Sequence, residues 1–305
     1  MHIEKLPGIV HHAIEEFETD LAAELGPAGA DASWGPFRYV TAPERKVYWA
    51  LNTWLEPFRV EFDSISEASS ALRAIQRNWA PCLYTQFRRG ALISDKLPPI
   101  SAKPKPFPFL LPDSQMGAWT LLDEHTMIAS ARCSSPFPGG VVEFQEDKEG
   151  PPSRAYLKLR EALVRLRAFP KENDLCLDAG SCPGGWTWVL AELGARVISV
   201  DRAEIDPRVA AMKGVEFRKH DAFTLKPEDV GPIDWFCSDV ICYPPRLYDW
   251  VGRWLDSGLC RNFICTIKMQ GNADRETTER FAAIPGSSVV HLHNNKHELT
   301  WMLVR

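Results

Sequence analysis

The sequence predicts an α/β protein: a doubly wound, mostly parallel sheet with an antiparallel closing hairpin, preceded by a smaller α+β N-terminal domain. Three observations carry that prediction. From Pro151 onward, short apolar runs alternate with helix-length amphipathic segments, the pattern of a parallel sheet covered on both faces. Asp178-Ala-Gly-Ser-Cys-Pro-Gly-Gly-Trp-Thr187 sits where one apolar run meets a helix. Finally, Asp201, Asp221, Asp239 and Lys268 all close strand-like runs, and open α/β sheets bind ligands at the carboxyl ends of their strands.

Taken in order, residues 8–25 place Ile9, Ile14, Phe17, Leu21 and Leu25 at helical spacing, with Gly26 as a stop. Strand-like runs follow at Phe37–Thr41, Val47–Leu51 and Phe58–Phe62, then a helix over Ser66–Gln76. Residues 1–97 thus read as an α+β module. Residues 98–150 open with Pro98, Pro99, Pro104, Pro106, Pro108 and Pro112, which exclude regular structure and give an extended connector. A hairpin of Ala118–Leu122 and Met127–Cys133 comes next. In residues 151–305 helices are expected at Ser153–Leu166, 186–193, Leu247–Ser257 and Arg275–Ala283. Strands are expected at 175–179, 195–200, Val215–Lys219, Asp234–Ser238 and Asn262–Thr266, with Val289–His293 and Leu299–Val304 closing the sheet.

Composition bounds the setting. The N-terminus lacks an apolar leader and no apolar run reaches membrane-spanning length, so a cytoplasmic protein without a membrane partner is expected. The eight cysteines never fall in Cys-x-x-Cys spacing, and several lie inside apolar runs, as reduced thiols used as small hydrophobes do. No metal site is expected. His291 and His293 would share a strand face as ordinary edge residues, and His11-His12 would lie on the first helix's surface. The formal net charge of −5 speaks against a nucleic-acid partner. Yet Arg73, Arg77, Arg88, Arg89, Lys96, Lys103 and Lys105 are interrupted only by Asp95, which reads either as a local basic surface or as a solvated face.

The residues at the strand ends suggest a chemistry. Gly180, Gly184 and Gly185 remove Cβ atoms at a strand–helix corner, so backbone amides can approach a ligand. Asp201, about twenty residues on, is placed for ribose hydroxyls, and Asp221 for an adenine amino group. Cys182, Pro183 and Trp186 complete the corner, Trp186 chiefly as a packing residue. No Gly-x-Gly-x-x-Gly is present, which weakens a nicotinamide oxidoreductase reading. Lys268 ends an apolar strand, and a lysine becomes a base when burial and a neighbouring cation disfavour its ammonium form. Lys158 supplies such a cation, and Glu298 and Asp239 the balancing carboxylates. Tyr243-Pro-Pro245, just after Asp239, shapes an acceptor pocket. Phe107 and Phe109 either stack on unpaired bases or pin the connector onto a domain, the second being preferred.

With these residues in hand, Asp-x-Gly-x-x-Pro-Gly-Gly-Trp-Thr resembles motif I of the FtsJ-like RNA ribose methyltransferases, which use S-adenosylmethionine. The family's Lys-Asp-Lys-Glu tetrad is matched by Ser153-Arg154-Ala-Tyr-Leu-Lys158-Leu159, Ser238-Asp239, Thr266-Ile-Lys268 and His297-Glu298-Leu-Thr. The resemblance runs from about Ser153 to Arg305. It implies a Rossmann-like methyltransferase sheet, with Lys158, Asp239, Lys268 and Glu298 catalytic. Gly180, Cys182, Pro183, Gly184, Gly185, Trp186, Asp201, Asp221 and Asp239 are then implied to hold S-adenosyl-L-methionine. Ser134-Ser-Pro-Phe-Pro-Gly-Gly140 and Glu298-Leu-Thr-Trp-Met-Leu-Val-Arg305 are similar to the RlmM-type enzymes, which methylate a cytidine ribose in 23S ribosomal RNA. That implies RNA, 23S rRNA or a precursor particle, as partner and a THUMP-like RNA-binding role for residues 1–97. The alternative is a catalytically silent RNA-binding or ribosome-assembly protein that keeps only the cofactor fold.

Overall fold

The computed structural model describes residues 1–43, 45–101 and 103–305; Ala102, inside the expected connector, and Glu44 lie outside the described residues. The chain divides into two compact units. The first comprises Met1–Lys105 and Leu111–Glu143, the second Pro106–Leu110 and Phe144–Arg305.

The first unit contains β1 (His2–Lys5), β2 (Ile9–Ala13), α1 (Glu18–Leu25), β3 (Ala32–Trp34), β4 (Phe37–Val40), β5 (Ala50–Trp54), β6 (Pro57–Glu61), α2 (Ile65–Ile75), β7 (Trp79–Pro81), α3 (Phe87–Ser94), β8 (Gly117–Leu121) and β9 (Thr126–Ser130). Five strands form one sheet in the order β1-β6-β9-β8-β7, and four form another, β3-β4-β2-β5. Period-two alternation sorts the five-stranded sheet's residues between two cores. On one face Val60, Trp119, Leu121 and Met127 meet Ala68, Ala71 and Leu72 of α2, Ile93 of α3 and Leu97 just beyond it. On the other, Ala118 and Ile128 meet Val10, Phe37 and Trp54 of the second sheet. Ser64 caps α2, its Oγ accepting from Glu67 N at 3.2 Å.

One expectation fails here. The helix over residues 8–25 is a strand followed by the short α1. β2 pairs with β4 on one side and β5 on the other, and that double ladder outweighs helical spacing between β-branched Ile9 and Val10. His11 is consequently buried rather than on a helix surface; burial pushes its pKa down to about 4. The expected hairpin forms, β8 pairing antiparallel with β9, and it is integral to the five-stranded sheet, β9 pairing also with β6 and β8 with β7.

The second unit contains α4 (Tyr156–Leu166), β10 (Leu175–Ala179), α5 (Gly185–Glu192), β11 (Arg196–Asp201), α6 (Pro207–Ala210), β12 (Val215–Lys219), α7 (Pro227–Val230), β13 (Ile233–Ser238), α8 (Pro244–Ser257), β14 (Cys260–Lys268), α9 (Arg275–Ala282), β15 (Ser287–Val290) and β16 (Glu298–Leu303). Its sheet runs β12-β11-β10-β13-β14-β16-β15. The first five strands are parallel and β16 is antiparallel to both neighbours, giving the expected closing pair. The central strands are mostly apolar, with Leu177, Phe236, Phe263 and Ile264 fully buried. Strand order reverses between β10 and β13, which makes that crevice the ligand-binding end of the sheet. β15 ends at Val290, so His291 and His293 lie beyond it and share no strand face.

The connector's phenylalanines belong to this unit. Phe107 packs edge-on against Phe144 and Phe169 at 6.1 and 6.0 Å between centroids, with the Arg160 guanidinium 4.8 Å from its ring centre. They pin the segment, as preferred.

Candidate active site

Four charged side chains from four elements converge. Lys158 stands in the first turn of α4, Asp239 follows β13, Lys268 ends β14 and Glu298 opens β16. Register alone brings one pair together, because Lys268 and Glu298 are cross-strand partners in the antiparallel β14–β16 ladder. Lys158 Nζ donates to Asp239 Oδ1 and Oδ2 and to Glu298 Oε1, each at 2.8 Å. Lys268 Nζ lies 2.8 Å from Asp239 Oδ1 and 3.2 Å from Glu298 Oε2. The lysine and glutamate on the inner side are only 8% and 7% exposed. Two ammonium groups against two carboxylates leave no net charge, the condition under which such a buried cluster is tolerable.

The electrostatics correct one expectation. A cluster that lowers one lysine's pKa is not what the geometry gives. Burial pulls the Lys268 pKa down, but Asp239 and Glu298 outweigh it and hold the ammonium above its ordinary value. Burial likewise pushes the Asp239 carboxyl up, while Lys158 and Lys268 carry it below the ordinary aspartate range. Lys268 and Asp239 thus stabilise each other's charged form.

Along the sheet edge, strand order sets Asp221 beyond β12, Asp201 at the end of β11, the glycine corner after β10, then Asp239 and Lys268. That sequence fits an elongated nucleoside ligand lying across the strand ends. Asp201 Oδ2 accepts from Cys182 N at 3.0 Å and Oδ1 from Ala203 N at 2.9 Å, so its carboxylate both shapes the corner loop and faces it. Asp221 Oδ1 accepts from Phe223 N at 3.0 Å. Pro183 O accepts from Asp206 N at 3.0 Å, while Cys182 is exposed in the corner loop. Gly184, at φ +110°, begins α5 without any side-chain cap. An uncapped first turn on a left-handed glycine leaves amides for a ligand.

The other glycines work differently from expectation. A Cβ on Gly180 would lie 2.7 Å from Val240 Cβ, and one on Gly185 2.7 Å from Ser153 Oγ. Their lost Cβ atoms make room for the loop carrying Asp239 and for the residues before α4. Trp186 is buried, its Nε1 donating to Ala155 O at 2.9 Å. It fixes the start of α4 and therefore Lys158.

Three functional groups escape a linear reading. Thr266 Oγ1 donates to Asp239 Oδ1 at 2.7 Å; it lies two residues before Lys268, on the same strand face, which is the signal that finds it. Asp178, opening the glycine motif, is buried, with Oδ2 2.6 Å from Thr187 Oγ1. Burial pushes its carboxyl up to about 7. Glu161, one turn after Lys158, is completely buried and holds the residues before β16. Among the described residues no group of His, Cys, Asp and Glu is arranged to hold a metal ion, and no helix is long and apolar enough to cross a membrane.

Residues 151–274 match the family model described as FtsJ-like methyltransferase. The chain is 34% identical over 155 residues to the ribosomal RNA large subunit methyltransferase M of Azoarcus sp. (strain BH72), covering 49% of this chain and 42% of that protein. It is 32% identical over 213 residues to the protein of the same name from Xanthomonas axonopodis pv. citri (strain 306), covering 67% and 57%. With the Xanthomonas oryzae pv. oryzae (strain PXO99A) protein, also so named, identity is 29% over 256 residues, covering 79% and 70%. The chain thus spans less than two thirds of the first two relatives' length.

Proposed function

We propose that this chain, whose residues 151–274 match the FtsJ-like methyltransferase model, is an S-adenosylmethionine-dependent enzyme that methylates a ribose 2′-hydroxyl in RNA. The observation that carries the proposal is the closed tetrad of Lys158, Asp239, Lys268 and Glu298 at the carboxyl ends of the strands. The names of the relatives support the RNA of the large ribosomal subunit as substrate, and this is a cytoplasmic setting.

When bound, S-adenosylmethionine supplies a methyl group on a sulfonium. Gly184, Asp201 and Asp221 are the residues that would hold it, from the methionine portion to the adenine. Asp239, within the tetrad, fixes both lysines and places negative charge beside the reacting centre. Lys268 takes the proton of the ribose hydroxyl as that oxygen takes the methyl, and its neutral amine is the form that can do so. Thr266, by donating to Asp239, leaves that carboxylate a single orientation. The loop between β13 and α8 presents Ile241 and Tyr243 to solvent beside Asp239, an apolar and aromatic pair suited to an unpaired base.

The first unit supports the RNA reading despite the chain's acidic balance. α2 and α3 bury their inner residues on one sheet face, so their outer faces point the same way. Exposed Arg73, Arg77, Arg88 and Lys96 lie on or beside those helices, and among the described residues none makes an ion pair. Exposed Ile75, Phe87 and Leu92 stand between them. Cations interleaved with apolar groups suit single-stranded RNA, phosphates on the charges and a base on the Phe87 ring. The test is transfer of labelled methyl to unmodified large-subunit RNA, with the product nucleotide resistant to alkaline cleavage. Label on a base nitrogen or carbon instead would overturn the ribose assignment.

A further inference from the structure

We infer that Glu161 is a positioning residue for the tetrad: it ties the turn before Glu298 to the helix that carries Lys158. The inference rests on the methyltransferase reading for its consequence in turnover, but its geometry stands without it.

Glu161 lies one helical turn beyond Lys158 on α4 and has no solvent exposure. Its Oε1 accepts from His293 N at 2.9 Å, and its Oε2 from Asn294 N and Asn294 Nδ2 at 3.3 Å. Burial pushes the Glu161 carboxyl up, and Arg165, a turn further along α4, opposes that shift together with the N–H donors of His293 and Asn294. Three N–H groups thus converge on one side chain from a segment more than a hundred residues away.

That segment is the connection from β15 to β16, and it ends on Glu298. Other anchors come from nearer by: Asn295 Nδ2 donates to Thr300 Oγ1 at 3.1 Å within the turn, and Met269 N, just past β14, donates to His297 O at 3.1 Å. Glu161 links the turn to α4. One helix therefore presents Lys158 and, a turn later, fixes the approach of its partner Glu298, so the 2.8 Å contact between them is set from both ends. An acid is required because both of its oxygens face N–H donors, whereas glutamine would point its own N–H at one of them.

Glu161→Gln tests this. Expected are a crystal structure with the Lys158 Nζ–Glu298 contact lengthened beyond hydrogen-bond reach and a kcat lowered about 100-fold, the usual cost of an ångström of misplacement. KM for cofactor and RNA should move by no more than about twofold, because binding groups are untouched. Adding Asn294→Asp gives the new amide an acceptor, and part of the rate should return. If Glu161→Gln is poorly folded, Asn294→Ala removes one donor from the turn's side and should lower kcat in the same direction. An unchanged Lys158–Glu298 contact with unchanged kcat, even at a lower Tm, would overturn the role. If the parent protein transfers no methyl at all, the functional reading fails and the crystallographic distance alone decides the inference.

Discussion

Lys268 stands directly opposite Glu298 across the antiparallel β14–β16 ladder, and its Nζ lies 3.2 Å from the Glu298 carboxylate. The pairing ties the reactive amine to strand register. A one-residue slip would turn either side chain to the opposite face of the sheet. The closing antiparallel strand thus does more than complete the sheet: it brings the fourth charge to the ends of the parallel strands.

Because Asp239 and Glu298 outweigh burial and raise the Lys268 pKa, the amine is charged at neutral pH. A base of this kind gains its neutral form as pH rises, so the rate of the methyl-transfer step should climb about tenfold per pH unit between 7 and 9, with no plateau in that range. Asp239→Asn removes one restraining carboxylate and should shift this limb to lower pH while reducing the maximum. Rapid-quench measurements across the range check both.

The same shifts govern stability. The raised Lys268 contributes stability fully present below its unfolded pKa and lost as pH rises through the folded one; the lowered Asp239 contributes stability lost as pH falls through its folded value. Removing one member should be costly: Lys158→Met leaves two carboxylates facing one cation in a site where the lysine is 8% exposed, at about 3 kcal/mol. Lys158→Met with Glu298→Gln restores balance and should cost less than the sum of its parts. Urea denaturation of the three variants measures this.

Asp178 makes the opposite prediction. Its carboxyl, pushed by burial up to about 7, is more protonated in the fold than in the unfolded chain. Its share of stability should therefore decline as pH rises from about 4 to 7 and stay lost above that, at most about 4 kcal/mol. Asp178→Asn should flatten the pH dependence in this window. A slope unchanged by the substitution would show that another group produces it.

On the outer face of α2 and α3, Arg73→Glu with Arg88→Glu should weaken RNA binding at low salt and lower the slope of log K against log salt by about two, as expected for two lost phosphate contacts. Circular dichroism should stay unchanged, since both side chains are exposed. Binding of anionic vesicles or acidic peptides at matching strength would point to a different partner.

How much of this was legible in the sequence differs between the units. The second unit's strands are apolar runs closed by Asp201, Asp239 and Lys268, so order and polarity could be read together; Lys158, on a helix, and Glu298, opening a strand, joined the tetrad through the family resemblance. The first unit was misread where elements are short. Ile9, Ile14, Phe17 and Leu21 keep helical spacing across a strand, a 3-10 turn and α1. α3 was invisible because Gly90 sits mid-helix; there a Cβ would meet Leu83 Cδ1 at 2.3 Å, so the helix is held by packing rather than propensity. Glu161 was unreadable for a different reason. Its partners are mainly backbone amides at the far end of the chain, and no spacing rule reaches them.

The most direct test is a single-turnover assay of Lys268→Met with cofactor affinity measured on the same preparation. The account predicts a methyl-transfer rate lower by about 1000-fold, the range of a lost general base, with cofactor affinity essentially kept. A rate within a few-fold of the parent would contradict it and remove Lys268 as the group that takes the ribose proton.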